Sequence, residues 1–174
     1  MANWLRYFWK VSTLKQGPGD APFSKSALYL STLACWFIGM LVLLNGQPLF
    51  LASLLSAIQV GILIFLTQIA LWIAKTPERL AQTITAMMGA GTVIAIAALP
   101  VVLMLRQSED FLAIAANGSW LLLIAWEALV IAHVLKHALD TNFIAGLGIS
   151  LIYMYMSFAI TVRLIKVISI VSGT

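Results

Sequence analysis

Residues 119–140 read SWLLLIAWEALVIAHVLKHALD, and this stretch decides the fold. It is predominantly apolar over the roughly 20 residues that an α-helix needs to cross a bilayer. It nevertheless carries Glu127 near its middle and His133, Lys136 and His137 toward its end. Ionisable side chains inside a span are energetically costly and usually face other protein or water. Glu127 is therefore the first candidate for a functional residue.

The composition of the whole chain is that of a membrane protein. Of its 174 residues, 62% are hydrophobic and 9% are charged, whereas soluble domains carry about 25% charged residues. The net charge of +4 fits Lys and Arg beside anionic lipid headgroups. Because no basic run with interleaved aromatic residues lies outside the apolar stretches, we expect no nucleic-acid partner. The single cysteine, Cys35, lies in an apolar run and indicates a buried packing residue.

Four further apolar stretches have the length of a span, so we predict an all-α integral membrane protein with five transmembrane helices. The predicted spans are residues 25–45, 49–75, 76–105, 119–140 and 143–162. They form one domain, residues 24–171, which follows a turn at residues 16–23, QGPGDAPF. Residues 106–110 form a polar link. The apolar segment 111–116 is too short to span, and we expect it to lie at the membrane interface.

Residues 1–16 form an amphipathic helix ahead of the spans. Trp4 and Phe8 belong to its aromatic face, and Arg6 and Lys10 lie opposite. This pattern is typical of an interfacial helix, with aromatic rings toward the acyl chains and cations toward the phosphates. We therefore predict that these four residues contact membrane lipids. Docking of this helix on the helix bundle explains the pattern equally well.

The distribution of Lys and Arg predicts the orientation of the chain. With a cytoplasmic N-terminus, seven of the ten Lys and Arg residues fall on the cytoplasmic side, as the positive-inside rule requires. Five spans then place the C-terminus outside. A reporter fused to the C-terminus tests this, and a cytoplasmic C-terminus would contradict the five-span prediction.

Small residues recur every four positions on several predicted spans and allow helices to approach closely. The ladders are Ser31, Cys35 and Gly39 on the first span, Ser53, Ala57 and Gly61 on the second, and Gly146 and Ser150 on the fifth. They favour tight helix–helix contact, either within the chain or between chains.

Glu127 has two interpretations. It either binds a proton or cation during transport, or it forms a structural hydrogen bond to Gln59, Gln68 or a tyrosine of a neighbouring span. A second intramembrane charge facing Glu127 would favour transport, and burial against amides would favour a structural role. We favour the structural role from the sequence.

His133 and His137 lie one helical turn apart, a spacing that can hold a metal ion on one helix face. The accompanying carboxylate of an HExxH motif is missing, and Glu127 lies about 120° around the helix from His133. The sequence therefore favours a polar patch at the interface, shared with Lys136 and Asp140, over a metal site. We expect no cofactor.

Three segments resemble the Yip family, the Ypt/Rab-interacting membrane proteins. Residues 82–101, QTITAMMGAGTVIAIAALPV, resemble its third span. WEALVIAHVLKHALD and NFIAGLGISLIYMYMSF, within residues 126–158, are similar to the fourth and fifth spans of the bacterial Yip-like branch, and GPGDAPFS at residues 17–24 resembles its N-terminal turn. The resemblance implies five spans with a cytoplasmic N-terminus, and we expect a bacterial inner membrane.

The sequence contains no phosphate-binding loop beside a strand, no nucleophile elbow and no cysteine cluster, so we do not expect an enzyme. The function expected is that of a Yip-like scaffold or accessory subunit of a membrane complex. Its partners would be membrane lipids and other membrane proteins or a second copy of the chain. The alternative is a small transporter or channel component that uses Glu127, and an intramembrane enzyme ranks third.

Overall fold

The computed structural model describes residues 2–21, 24–107 and 110–172. Helices make up nearly all of these residues, and none of them forms a strand. The α-helices are α1 (Ala2–Ser12), α2 (Lys25–Leu43), α3 (Leu49–Ile73), α4 (Leu80–Gln107), α5 (Asp110–Ala138) and α6 (Phe143–Ser172). Short 3₁₀ helices occupy Pro18–Asp20 and Pro77–Arg79. Pro22 and Phe23 of the predicted turn, and Ser108 and Glu109 of the predicted polar link, lie outside the described residues.

Five of the described helices, α2 to α6, are long and apolar enough to cross a membrane. The shortest, α2, has 19 residues and is about 28 Å long at 1.5 Å per residue, close to the roughly 30 Å of a hydrocarbon core. The all-α class and the five helices of spanning length are therefore confirmed, and they fit an integral membrane protein.

Local signals set the helix boundaries. The Ala27 amide donates to Ser24 Oγ at 3.1 Å, so Ser24 caps α2 as its sequence position predicts. Asn142 caps α6 in the same way, through a 2.8 Å bond from the Ala145 amide. Lys75 and Asp140 take positive φ angles of 60° and 49° directly after α3 and α5, which ends each helix in a tight reversal.

Residues 111–116 do not form a separate segment, and their expected position at the membrane interface stays a prediction. These residues form the first turns of α5, which runs without interruption from Asp110, because they contain no proline and follow directly into the apolar run. The apolar residues after Lys166 likewise continue α6 to Ser172.

The five long helices form a ring in the order α2, α4, α5, α6, α3. Small residues let neighbouring helices lie close together. At Gly39 of α2, an added Cβ atom would lie only 2.8 Å from Ser56 Oγ of α3. A Cβ atom at Gly146 of α6 would lie 2.5 Å from the carbonyl oxygen of Ala132 in α5. These glycines of the predicted ladders on α2 and α6 therefore serve contacts within the chain.

The N-terminal helix α1 docks on the outside of this ring, against α4 and α5. Tyr7 and Val11 are buried, and the Phe8 ring occupies the space that a side chain at Gly89 would need. The Trp126 indole donates to the carbonyl oxygen of Ser12 at 2.6 Å. These contacts fix α1 on the bundle.

The residues predicted to contact lipid occupy different surroundings on α1. Phe8 faces α4, Arg6 is exposed, and Trp4 and Lys10 are half-buried. The apolar residues Leu5 and Trp9 are also exposed. Docking on the bundle thus uses one face of α1 and leaves another apolar face free, and contact of that face with lipid stays a prediction.

Candidate functional site, a cavity between the spans

Glu127 lies near the middle of α5 and faces the centre of the ring. Among the described residues, no hydrogen bond reaches its carboxyl group. Its side chain is partly buried and borders a cavity between the helices. A carboxyl group in such surroundings must be protonated, paired with a cation or hydrated.

The cavity has a volume of about 490 Å³ and is lined by residues from all five long helices. That volume lies within the roughly 300–1,000 Å³ of pockets that hold small molecules. Most of its wall is aliphatic, and its polar and aromatic lining residues are Cys35, Ser56, Gln59, Trp120, Glu127, Tyr153, Ser157, Phe158 and Thr161. An apolar wall with a few polar groups is typical of a binding site.

Helix periodicity and small side chains explain why a cavity exists here. On α4 the wall includes Gly91, Ala95 and Ala98, which recur at the spacing of one helix face and leave room beside it. On α6 the wall includes a polar stripe at every fourth residue, Tyr153, Ser157 and Thr161. The five helices therefore surround a space that the side chains of α4 do not fill.

Of the two glutamines predicted to form a hydrogen bond with Glu127, one lies in the same cavity. Gln59 lines the cavity, whereas Gln68 is exposed on the outer surface of α3. Nine residues separate the two, which places them about 180° apart around the helix. The predicted hydrogen bond from an amide or tyrosine to Glu127 does not occur among the described residues, although Gln59 and Tyr153 share its cavity.

The two histidines do not belong to this cavity. His133 Nε2 lies 3.2 Å from the carbonyl oxygen of Gln16, and His137 Nδ1 lies 2.8 Å from that of His133. Their ring centroids are 4.5 Å apart. Within the described residues, no group of three potential metal ligands exists. His133 therefore joins the N-terminal turn to the end of α5, and His137 bonds within its own helix.

Arg79 organises the same end of the bundle, and sequence reasoning had not singled it out. Its Nη1 donates to Asp140 Oδ2 at 2.8 Å and to the carbonyl oxygens of His137 and Ala138 at 3.3 Å. It thereby satisfies carbonyl groups that the end of α5 leaves without intrahelical partners. The sequence offers no signal for this, since Arg79 and Asp140 are remote along the chain.

A polar cleft of about 510 Å³ opens beside this cluster, between the turn at residues 15–20 and the facing ends of α4 and α5. The Tyr7 hydroxyl donates to the carbonyl oxygen of Gly17 at 3.0 Å and holds the turn in place. Burial raises the pKa of Tyr7, and the nearby charge of Asp20 adds to the effect. Tyr7 therefore stays protonated and keeps donating at neutral pH.

Cys35 is the lining residue whose role sequence reasoning missed. Its apolar surroundings in the sequence predict a packing residue, yet it borders the cavity together with Tyr153 and Glu127. The four-residue spacing of Tyr153, Ser157 and Thr161 is the sequence signal that could have indicated a polar face on α6.

Comparison of the chain with models of protein families, with curated proteins and with solved structures gives no match. The class of protein is therefore defined by the fold and the site. The described chain has five helices able to span a membrane, arranged around a central cavity that contains one acidic residue.

Proposed function

We propose that this integral membrane protein binds a lipophilic small molecule between its spans, as a small transporter or a ligand-binding membrane component that uses Glu127. The observation that carries this proposal is the cavity of about 490 Å³, whose wall holds a carboxyl group with no hydrogen-bond partner among the described residues. A carboxyl group that served packing alone would be expected to have a hydrogen-bond partner, because unsatisfied polar groups are costly in apolar surroundings.

The orientation proposed is a cytoplasmic N-terminus and an external C-terminus, in a bacterial inner membrane. The lining residues run from Cys35 to Leu43 on α2 and from Ser56 to Leu63 on α3. The cavity therefore extends from the middle of the bundle toward the end opposite Arg79. With this orientation the cavity would face the external half of the membrane, and the polar cleft at Arg79 would face the cytoplasm.

Filling the cavity tests the proposed function. Ala95→Phe adds a ring inside the cavity, and Ile96→Phe adds the same ring at an exposed neighbouring position outside it. Binding of radiolabelled N-phenylnaphthylamine, a neutral lipophilic probe, is measured by scintillation proximity on the immobilised protein in nanodiscs. We expect Ala95→Phe to weaken binding at least about tenfold, because the ring occupies the volume of the ligand, and Ile96→Phe to leave it unchanged.

Size-exclusion profiles and melting temperatures of both variants show whether they remain folded. If folded Ala95→Phe and Ile96→Phe bind the probe as the original protein does, or if the original protein binds no more than empty nanodiscs, ligand binding in the cavity is contradicted.

A second candidate function, the scaffold or accessory role that the Yip resemblance implies, is favoured by the outer face of α3. Ala57, Gly61 and Gln68 are exposed there on one side of the helix, and a Cβ atom at Gly61 would meet nothing within 4 Å. Small residues and an amide on a lipid-facing surface favour association with another helix. A second copy of the chain is the partner proposed for this face, since a two-fold axis along the membrane normal that passes beside α3 brings Gly61 near its own copy.

Cysteine cross-linking in native membranes tests this second candidate. In a Cys35→Ser background, Gly61→Cys is expected to form disulfide-linked dimers on mild oxidation. Leu122→Cys, at an exposed position of α5, is the matched control and is expected to stay monomeric. Equal cross-linking of the two variants, or none in Gly61→Cys, would argue against a dimer through α3.

A further inference from the structure

The described residues that line the cavity include an acidic side chain but no basic one. Of the described residues that line it, Glu127 alone is acidic, and none is a lysine, arginine or histidine. The Ser56 hydroxyl is already committed, because it donates to the carbonyl oxygen of Trp36 at 2.7 Å. An ionised Glu127 would therefore lack a countercharge among the described residues of the cavity wall, and a buried carboxylate is stable only when it is paired.

Aromatic rings in the same wall reinforce this preference. Trp120 precedes Glu127 by seven residues on α5, which puts both on one helix face about 10 Å apart along the axis. Tyr153 and Phe158 reach the cavity from α6. Ring faces attract cations, and tryptophan does so most strongly.

The remaining wall determines the other properties of the ligand. It is mainly aliphatic, with residues such as Val42, Leu63 and Ile94, so the ligand must carry an apolar body. An inorganic cation such as Ca²⁺ requires several oxygen ligands, and in the described part of the chain no group of three acidic, histidine or cysteine side chains is available. The favourable occupant is an organic ion.

We infer that the cavity binds a lipophilic organic cation, with its positive charge beside Glu127 and its apolar body against the walls contributed by α4 and α6. This inference rests on the function proposed above and specifies the ligand class. Such a ligand supplies the countercharge that Glu127 lacks and buries its apolar surface in the same step.

Three probes of one shape and different charge test the inference. Tetraphenylphosphonium is a cation, tetraphenylmethane is neutral and tetraphenylborate is an anion. Each is radiolabelled and its binding to the full chain in nanodiscs of neutral lipid is measured by scintillation proximity. We expect the cation to bind at least about tenfold more tightly than the neutral probe, as for a charge-assisted contact, and the anion to bind most weakly.

Charge variants identify the residue responsible. Glu127→Gln removes the negative charge in the cavity, and Glu78→Gln removes one at an exposed position outside it. We expect Glu127→Gln to weaken binding of the cation at least about tenfold while binding of the neutral probe is unchanged. Glu127→Asp should retain the preference for the cation, and Glu78→Gln should match the original protein.

The possible results separate this inference from the function on which it rests. If all probes bind the original protein equally, or if Glu127→Gln does not change the preference, cation selectivity is overturned while a ligand cavity stands. If no probe binds and Ala95→Phe has no effect on N-phenylnaphthylamine, the cavity function is overturned as well. Should Glu127→Gln fail to fold, the comparison of the three probes on the original protein still decides the matter.

Discussion

Gly146→Ala is expected to lower the free energy of unfolding by about 1–3 kcal/mol, the usual effect of forcing an atom into a closely packed core. The added Cβ atom would lie 2.5 Å from the carbonyl oxygen of Ala132 and 3.3 Å from the amide nitrogen of Lys136. Both are backbone atoms of α5, so they cannot move away without shifting the whole helix. The result would be a separation of α5 from α6.

The matched control is Gly148→Ala, two residues further along α6, where a Cβ atom would meet nothing within 4 Å. This substitution should be neutral or stabilising by up to about 1 kcal/mol, because glycine is a poor helix former. Unfolding of the purified protein in mixed detergent micelles, followed by circular dichroism, gives both values. Equal stability of the two variants would show that α5 and α6 do not pack as described.

Gly89→Ala is expected to release α1 from the bundle. The new Cβ atom would overlap the ring of Phe8, and Tyr7 and Val11 are buried by the same docking. Burial of one large apolar side chain contributes about 1.5–3 kcal/mol, so expelling Phe8 removes much of the free energy that holds the helix in place. Amide hydrogen exchange in α1 should accelerate strongly, while exchange in α2 to α6 changes little.

Gly91→Ala is the control for this experiment, since a Cβ atom there would lie 3.5 Å from Cys35 Sγ, an ordinary van der Waals distance. Exchange in α1 should then be unchanged. Phe8→Ala combined with Gly89→Ala should exchange no faster than Phe8→Ala alone, because the clash is gone. If Gly89→Ala leaves α1 protected, the Phe8 contact is not what docks it.

Length and hydropathy were sufficient to predict most of the fold. Residues 119–140 and four other apolar stretches predicted the five long helices, because a bilayer-spanning segment must satisfy its backbone hydrogen bonds internally and present apolar side chains along its length. The cap at Ser24 also follows from the sequence, since capping depends on neighbouring residues alone. Residues 111–116 belong to the same helix as the span that follows them, which the length of a span does not indicate, because α5 begins at Asp110.

The candidate site was predicted in part. Glu127 and Gln59 were identified from the sequence because a polar residue within an apolar run is conspicuous, and the structure places both in one cavity. Gln68 was identified by the same signal but lies on the opposite side of α3, since a single polar residue does not reveal which side of its helix meets another helix. Excluding Gln68 requires the positions of the helices that pack against α3, and the sequence does not give them.

The sequence by itself determined the number, length and apolar character of the helices, because these depend on consecutive residues and on the thickness of a bilayer. Only the tertiary structure decided that Glu127 has no hydrogen-bond partner among the described residues and that Cys35 and Tyr153 border the same cavity. The physical reason is that apolar helices offer many surfaces of similar hydropathy. Close contacts between particular small residues, such as Gly146 against Ala132, therefore determine which faces meet and which enclose space.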